Sequence, residues 1–297
     1  MPTFGVKFMD WEKVLTSREI LRLAKIFKEL GISKVRLTGG EPLLRWDLKE
    51  IVEGLKELNL SLNITTNGIL LDNCLDFLKG RVDYLNISLD TFYPEKYAYI
   101  TRSSPEMFFK VMKNIYDALE KGFKMVKINT VIVKGFNDDE IFNFVEFAKE
   151  KPVAIRFIEY MPFDGNDWSW EKVVKVGEIK EMISQKYQLI PINGYSEVST
   201  DYIIPGFKGM VGFIGSMSAP FCNTCNRLRL TADGHLKPCL FSPFEVDLKT
   251  PLRSDASDED IKDIIIKAVY EKPFGHPGAE KILKTAHKNR KMVAIGG

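Results

Sequence analysis

The sequence predicts an α/β fold built on a parallel sheet, and two observations support this prediction. Short β-type runs alternate with amphipathic stretches that have the spacing of helices. The length of 297 residues suits one large domain, or one large and one small domain. This alternation is typical of βαβ units with helices outside the sheet, arranged either as a barrel or as a doubly wound sheet.

The elements follow one another in a regular order. The first helix is predicted at 16–30, where Thr16 or Ser17 can cap its start and Gly31 can end it. The β-type runs lie at 34–38, 61–65, 84–89, 125–133 and 153–160. The other amphipathic stretches lie at 48–58, 105–120 and 138–149.

Several of the predicted strands carry basic residues, although strands covered on both faces should be almost entirely apolar. Lys34 and Arg36 share one face of their run, Lys127 shares one with Asn129, and Arg156 interrupts an apolar run. Inward cations are costly unless they face a wet, anion-filled cavity or form salt bridges with carboxylates. The set as a whole favours the anion-binding cavity.

The pattern changes near residue 165. Beyond a loop-like stretch, the sequence predicts a helix at 176–187, short strands at 209–216 and 227–231, and a helix at 258–270. We therefore expect one domain over residues 1–165 and a smaller, irregular C-terminal domain over 166–297.

Composition limits the function classes. A net charge of +2 gives no footprint for non-specific nucleic-acid binding, and basic and aromatic residues do not interleave as an RNA-stacking platform. No run approaches the roughly 20 apolar residues of a membrane span, and the N-terminus has no signal-like apolar core. We expect a cytoplasmic protein without membrane or nucleic-acid partners.

Three of the four cysteines lie close together in sequence. Cys222 and Cys225 are two residues apart, and Cys239 follows after thirteen more. In a cytosolic chain this spacing indicates a metal site rather than disulfides. His235 can complete a zinc site, and spacing alone favours zinc; an iron–sulfur cluster would instead leave one iron open to substrate. Cys74 is predicted to be a buried apolar thiol.

Polar and glycine-rich segments follow the predicted strands. The turn Thr38 to Pro42 contains Gly39 and Gly40, which permit close approach of a ligand to the backbone, and Glu41, which can accept hydrogen bonds from an ammonium group. The stretches 65–68 and 86–90 place hydroxyls and amides at the edge where α/β folds bind ligands.

Arginines follow the second cysteine of the pair at alternate positions. If this segment is extended, Arg227 and Arg229 leave one face beside the metal, while Leu228 and Leu230 pack behind. Guanidinium groups suit phosphates or purine edges.

Four segments together resemble one family: KVRLTGGEPLLR at 34–45, NISLD at 86–90, RFIEYM at 156–161 and FCNTCNRLR at 221–229. They are similar to the GTP 3′,8-cyclases of molybdenum cofactor biosynthesis, which are radical S-adenosylmethionine (SAM) enzymes. The likeness covers essentially the whole chain and replaces the zinc interpretation. It implies an incomplete (β/α)6 barrel, here lacking its first strand, and a C-terminal domain with a metal-cluster site.

The resemblance also implies the ligands of the site. A C-terminal 4Fe–4S cluster would be held by Cys222, Cys225 and Cys239, and its open iron would bind the guanine of GTP. The residues implied to contact GTP, or to lie near it, are Lys34, Arg36, Thr65, Lys127, Arg156, Arg227 and Arg229. Those implied for SAM are Gly40, Glu41, Ser88 and Met161.

The activity implied is conversion of GTP to (8S)-3′,8-cyclo-7,8-dihydroguanosine 5′-triphosphate. The resemblance further implies an electron donor and a second copy of the chain as partners. The tail Gly296-Gly297 would enter the barrel and serve catalysis, whereas most chain termini are frayed. The alternative is a nucleotide-binding cluster or zinc protein without radical chemistry.

One departure from the family is large. Its N-terminal 4Fe–4S cluster, which cleaves SAM, is held by Cys-x3-Cys-x2-Cys, and this motif is absent here. In relatives the motif is followed by a stretch similar to Met1 to Gly5, so we expect that the chain starts just after it and is inactive alone. A misplaced start or a cut chain is favoured over a binding-only paralogue; in-frame upstream cysteine codons would support the former.

Overall fold

The computed structural model describes residues 9–192, 198–275 and 278–295, which fall into two compact units. The first unit contains 65–162 and 167–225, and the second contains 9–64, 163–166 and 226–295. The predicted tail residues Gly296 and Gly297 lie outside the described residues. The domain boundary near residue 165 stays a prediction.

The described residues form short strands and helices along the whole chain. The strands are β1 Lys34–Leu37, β2 Ser61–Thr66, β3 Tyr84–Ser88, β4 Met125–Ile132, β5 Val153–Glu159, β6 Ile190–Ile192, β7 Thr200–Ile203, β8 Met210–Ile214, β9 Arg229–Leu230, β10 His235–Lys237 and β11 Val246–Asp247. The helices are α1 Ser17–Glu29, α2 Leu48–Glu57, α3 Leu75–Leu78, α4 Pro94–Thr101, α5 Glu106–Lys121, α6 Ile141–Glu150, α7 Val176–Ser184, α8 Lys249–Arg253, α9 Asp258–Tyr270, α10 Ala279–Thr285 and α11 Met292–Ile295.

The predicted fold class is confirmed as α/β with a mainly parallel sheet. In the first unit, β3, β4, β5 and β8 pair in parallel in that order, and β7 and β6 continue the sheet in antiparallel fashion. In the second unit, β1 pairs in parallel with β2 through residues 34–37 and 61–64. Each predicted β-type run of the N-terminal half contains one of these strands.

The position of β8 was not foreseen from the sequence. It lies directly beside β5, with Arg156 opposite Gly212, although some fifty residues separate the two strands. The chain reaches it through α7 and the pair β6–β7, so the parallel connection is long. Hydrophobic periodicity reports which face of a strand is buried, but it does not report which strand lies next to it.

Aromatic rings fill the core of the first unit behind β5. Phe157 is fully buried and stacks on Phe213 of β8, with ring centroids 5.9 Å apart. Phe144 of α6 meets the same ring edge-on, with centroids 6.3 Å apart. Because Phe157 points to this core, its neighbours in sequence, Arg156 and Ile158, lie on the opposite face of the sheet.

The second unit joins the two ends of the described chain around one apolar cluster. Thr16 caps α1 through a capping box with Glu19, as the sequence predicted for its start. The apolar face of α1 packs with α9, the C-terminal strands and the loops beside them in a cluster of Leu15, Leu23, Ile26, Leu236, Leu248, Leu252, Ile261, Ile265 and Ala268. At its edge Arg22 Nε donates to Asp258 Oδ1 at 2.8 Å.

None of the helices in the described residues combines the length and the apolar character needed to cross a bilayer.

Candidate functional site

The turn after β1 has the backbone that its glycines predict. Gly39 and Gly40 have φ values of 71° and 42°, in the region where a side chain would be strained. Glu41 then caps a short 3-10 turn, with its Oε1 accepting from the Leu43 N–H at 3.1 Å. The Glu41 carboxylate therefore stabilises the turn through this hydrogen bond. The ligand contact expected of Glu41 stays a prediction.

The basic residues of β1 are more accessible than the sequence led us to expect. Lys34 and Arg36 are both exposed, because β1 pairs only with β2 among the described strands. Arg36 lies opposite Asn63 of β2, which is 4% exposed. The two side chains therefore share one face, with the arginine reaching solvent.

A row of polar side chains crosses one face of the sheet in the first unit; we call it the polar row, and it consists of Asn86, Lys127, Asn129, Arg156 and Asp201. Asn86 lies opposite Lys127, and Asn129 lies opposite Arg156. Arg156 lies opposite Gly212, which in turn lies opposite Asp201. The predicted pairing of Lys127 with Asn129 on one face is thereby confirmed.

Both cations of the polar row are buried. Lys127 is 6% exposed, and its Nζ lies 4.1 Å from the centroid of the Tyr84 ring. Arg156 is 4% exposed. A cation over a ring face is attracted by the ring quadrupole, and the attraction strengthens when water is excluded. Tyr84 therefore holds the ammonium group in the polar row.

Thr65 borders the polar row at the end of β2. It is 7% exposed, and its Oγ1 accepts from Asn86 Nδ2 at 3.5 Å. Thus three residues that the sequence assigns to GTP, Thr65, Lys127 and Arg156, lie on or beside one row. The row could bind an anion because it combines two buried cations with amide and hydroxyl groups.

The predicted SAM residues of the first unit lie where their strands end. Ser88 closes β3 and is exposed, and Met161 follows β5 by two residues and is half-buried. Two residues before Met161 lies Glu159, the last residue of β5, which is fully buried. The sequence pattern alone did not mark this carboxylate as a functional residue.

Glu159 accepts hydrogen bonds from four donors, one at the first residue of α7 and three in the loop after β8. Its Oε1 accepts from the Val176 N–H at 2.9 Å and from the Ser218 hydroxyl. Its Oε2 accepts from the N–H groups of Met217 and Ser218 at 2.7 and 2.8 Å. The carboxylate thus ties the end of β5 to the segment that leads into the first cysteine pair.

That pair lies on one tight turn. Residues Cys222–Thr224 form a 3-10 turn, and the Cys225 N–H donates to the Cys222 carbonyl at 3.1 Å. All four cysteines are described, none is in a disulfide, and all are half-buried. Cys74, predicted to be buried, instead keeps partial exposure, and its thiol lies 3.6 Å from the Leu70 carbonyl oxygen.

Cys239 belongs to the second unit, two residues after Lys237 at the end of β10. Across the described ranges, the structure assembles no group of three or more His, Cys, Asp or Glu side chains that could hold a metal ion. His235, the fourth ligand of the zinc interpretation, has its Nδ1 3.5 Å from Asp233 Oδ2. The cluster on Cys222, Cys225 and Cys239 therefore stays a prediction.

The alternation after Cys225 is confirmed. Leu228 and Leu230 pack against the apolar cluster of the second unit, and Arg227 and Arg229 are half-buried at the alternate positions. The Arg227 carbonyl accepts from Lys272 Nζ at 3.0 Å, which fixes the start of this segment.

Asp90 follows β3 and has a perturbed carboxyl group. Burial raises its pKa to about 6, although the Val131 N–H, which donates to Oδ1 at 2.8 Å, opposes the rise. Because the folded pKa exceeds that of the unfolded chain, this contribution to stability is present below about pH 4 and is lost as pH rises through about 6.

We expect Asp90→Asn to raise the melting temperature above pH 7 and to leave it unchanged near pH 4. The amide oxygen can still accept from Val131, so the variant removes mainly the charge. Since the residue as a whole is half-buried, the effect should be modest. Thermal unfolding of both proteins from pH 4 to 8 measures it, and a difference that does not vary with pH would contradict this account.

Comparisons with known proteins match both halves of the chain. The family described as Radical SAM superfamily matches residues 3–148, and that described as Molybdenum Cofactor Synthesis C matches residues 153–277. A mitochondrial GTP 3′,8-cyclase of Arabidopsis thaliana is 46% identical over 302 residues, covering 100% of this chain and 76% of that protein.

Two further comparisons define what the likeness covers. Molybdenum cofactor biosynthesis protein 1 of Dictyostelium discoideum is also 46% identical, over 304 residues, but this chain spans only 48% of its length. The crystal structure of Streptococcus suis SuiB bound to S-adenosylmethionine is similar in fold, with a TM-score of 0.61 at 16% identity, covering 87% of this chain and 62% of that one.

Proposed function

Because the chain belongs to the GTP 3′,8-cyclase family of radical SAM enzymes, we propose that it takes part in the conversion of GTP to (8S)-3′,8-cyclo-7,8-dihydroguanosine 5′-triphosphate. Membership of the radical SAM superfamily implies a 4Fe–4S cluster and SAM. When bound, these supply the hydrogen abstraction at the ribose that allows C3′ to join C8 of the purine. The residues of this chain bind and orient the two substrates.

The observation that carries this proposal is the pair of buried cations in the polar row. Lys127 and Arg156 lie on adjacent strands and on the same face, and both are more than nine-tenths buried. Two buried cations on one face can attract a dense anion such as a triphosphate, because their charge acts with little screening by water. Thr65 adds a hydroxyl beside them.

The remaining assignments are proposals of the same kind. GTP would also contact Lys34, Arg36, Arg227 and Arg229, and SAM would contact Gly40, Glu41, Ser88 and Met161. The exposure of Lys34 and Arg36 leaves both cationic side chains accessible to a phosphate. The glycine turn capped by Glu41 suits a backbone that must approach the methionyl group closely, because it carries no side chain at Gly39 and Gly40.

The donor chemistry of the three cysteines that lie close together in sequence suits an iron–sulfur cluster. All three are half-buried, none is oxidised to a disulfide, and Cys222 and Cys225 project from one turn. Three thiolates would leave one iron for the guanine. We also propose an incomplete (β/α)6 barrel, a division into domains near residue 165, an electron donor and a second copy of the chain as partners, and a cytoplasmic location.

Anaerobic purification tests this assignment. We expect a brown protein with about four iron atoms per chain, and Cys225→Ser should lose most of the iron because two thiolates do not hold the cluster. Cys74→Ser is the matched control, since Cys74 stands outside the motif, and it should retain the iron. A colourless protein with one zinc atom and no GTP binding would reject the proposal.

The cyclase reaction needs a separate assay. The four cysteines at 74, 222, 225 and 239 do not form the Cys-x3-Cys-x2-Cys motif, so we propose that the 297-residue chain alone does not cleave SAM. Fusion of a segment that carries the Cys-x3-Cys-x2-Cys motif should yield 5′-deoxyadenosine and the cyclised nucleotide when GTP, SAM and a reductant are supplied. Equal turnover without the segment would contradict this.

A further inference from the structure

We propose that Asp201 is a positioning residue, which fixes the guanidinium group of Arg156 in the polar row by acting across Gly212. The inference rests on the proposed function for the identity of the anion, a nucleoside triphosphate. Asp201 lies in none of the four segments that resemble the family.

The three residues stand in one line across three strands. Arg156 of β5 lies opposite Gly212 of β8, and Gly212 lies opposite Asp201 of β7. Residues two strands apart have backbones about 10 Å apart, so their side chains meet only if the strand between them leaves room. Gly212 leaves that room because it has no side chain.

The space over Gly212 is occupied by the carboxylate. A Cβ added at Gly212 would lie 2.1 Å from Asp201 Oδ1 and 3.6 Å from Arg156 Cγ. Distances near 2 Å are far inside contact distance, so any side chain here would displace Asp201. A glycine is therefore required at position 212 if Arg156 and Asp201 are to approach each other.

The two charges are held at an unusual separation. Arg156 Nη2 lies 3.8 Å from Asp201 Oδ2, within ion-pair range but too far for a hydrogen bond. The Ser199 hydroxyl donates to Asp201 Oδ1 at 2.7 Å and anchors the carboxylate. Within the described residues, Oδ2 accepts no hydrogen bond, and Asp201 is only 2% exposed.

This arrangement constrains Arg156 by charge. At 3.8 Å in a buried setting the attraction is strong, and Oδ2 exerts it without accepting an N–H of the guanidinium group. A carboxylate beside an anion site also repels phosphate, which by itself would weaken binding. If Asp201 mainly orients Arg156, removal of the Asp201 charge should weaken binding of the anion. If Asp201 mainly repels the ligand, the same change should strengthen binding.

Asp201→Asn separates these two effects. We expect the Kd for GTP and for inorganic tripolyphosphate to rise about tenfold, because Arg156 loses its fixed orientation. Loss of repulsion alone would lower both Kd values. Asp83→Asn makes the same change of charge at a carboxylate that pairs with exposed Lys124 at 2.9 Å, and it should leave both Kd values unchanged.

Two further variants show whether Asp201 acts through Arg156. Gly212→Ala keeps every charge but displaces the carboxylate, so it should raise the Kd values to a similar extent. In an Arg156→Gln background, Asp201→Asn should have no further effect on either Kd. Melting temperatures of all variants, measured in parallel, show whether each one is folded.

The outcomes distinguish this inference from the proposed function. If the wild-type chain binds neither GTP nor tripolyphosphate, both are overturned. If it binds them, and folded Asp201→Asn binds them equally well or more tightly, the positioning role is wrong and the proposed function stands. An additional loss of affinity from Asp201→Asn in the Arg156→Gln background would also overturn the role.

Discussion

Replacing Lys127 by glutamine should weaken binding of GTP by about 100-fold, which corresponds to about 2.7 kcal/mol. Lys127 is 6% exposed and its ammonium group lies over the Tyr84 ring, so its attraction to a phosphate acts with little screening by water. Glutamine keeps a polar side chain that is somewhat shorter than that of lysine, and it removes the positive charge. Calorimetric titration with GTP and with tripolyphosphate measures the loss.

Lys124→Gln is the matched control for this prediction. Lys124 precedes β4 by one residue, is itself exposed and pairs with half-buried Asp83, so the same change of charge occurs outside the polar row. The control should bind GTP as the wild type does, since exposed pairs contribute little. If Lys127→Gln binds tripolyphosphate within threefold of the wild type, Lys127 does not bind the phosphates.

Glu159→Gln should lower the free energy of unfolding by about 3 kcal/mol. The carboxylate is fully buried and accepts from three backbone N–H groups and one hydroxyl. A glutamine has one acceptor oxygen, so its NH₂ group must face donors on one side. The N–H groups left without an acceptor would stay buried without a hydrogen bond, and this desolvation cost would destabilise the folded state.

Urea unfolding of Glu159→Gln beside Glu181→Gln measures this effect. Glu181 is an exposed residue of α7 and undergoes the same chemical change without burial. We also expect less iron in Glu159→Gln, because the anchored Ser218 lies four residues before Cys222. A loss of stability equal to that of the control would show that the four donors find other acceptors.

The sequence was sufficient to predict which side chains share a face. Period-two alternation predicted that Lys127 and Asn129 share a face and that Arg156 interrupts an apolar strand. The register of β4 with β5 then brings these residues into one row. This works because the direction of a side chain in a strand depends only on its parity. The parallel βα order likewise follows from local patterns.

The sequence could not predict the partners that act across strands. Asp201 and Gly212 join the polar row because β8 and β7 follow β5 in the sheet, and that order arises from contacts distant in sequence. Glu159 was missed for a related reason, since its donors at the start of α7 and in the loop after β8 lie 17 to 59 residues further along the chain. A glutamate ending an apolar strand was the only local sign of it.

The cysteines show a different limit. Their spacing predicts a soft metal site, but spacing alone favoured zinc, and the iron–sulfur interpretation came from the resemblance of whole segments. Ligand identity depends on geometry and on the other ligands, neither of which a short motif encodes. The family models match residues 3–148 and 153–277, and radical SAM membership implies a 4Fe–4S cluster, but its place on these cysteines stays a prediction.

The second unit combines N-terminal and C-terminal segments, and this affects how it can fold while the chain is being synthesised. Its apolar cluster joins Leu15, Leu23 and Ile26 with residues beyond 235, so α1 meets α9 only after most of the chain has been made. At about 5–20 residues per second, the apolar face of α1 waits roughly 10 to 50 s on the ribosome for its partner. During that interval the nascent helix is a natural substrate for chaperones, and slowing of translation between residues 64 and 258 would prolong the exposure.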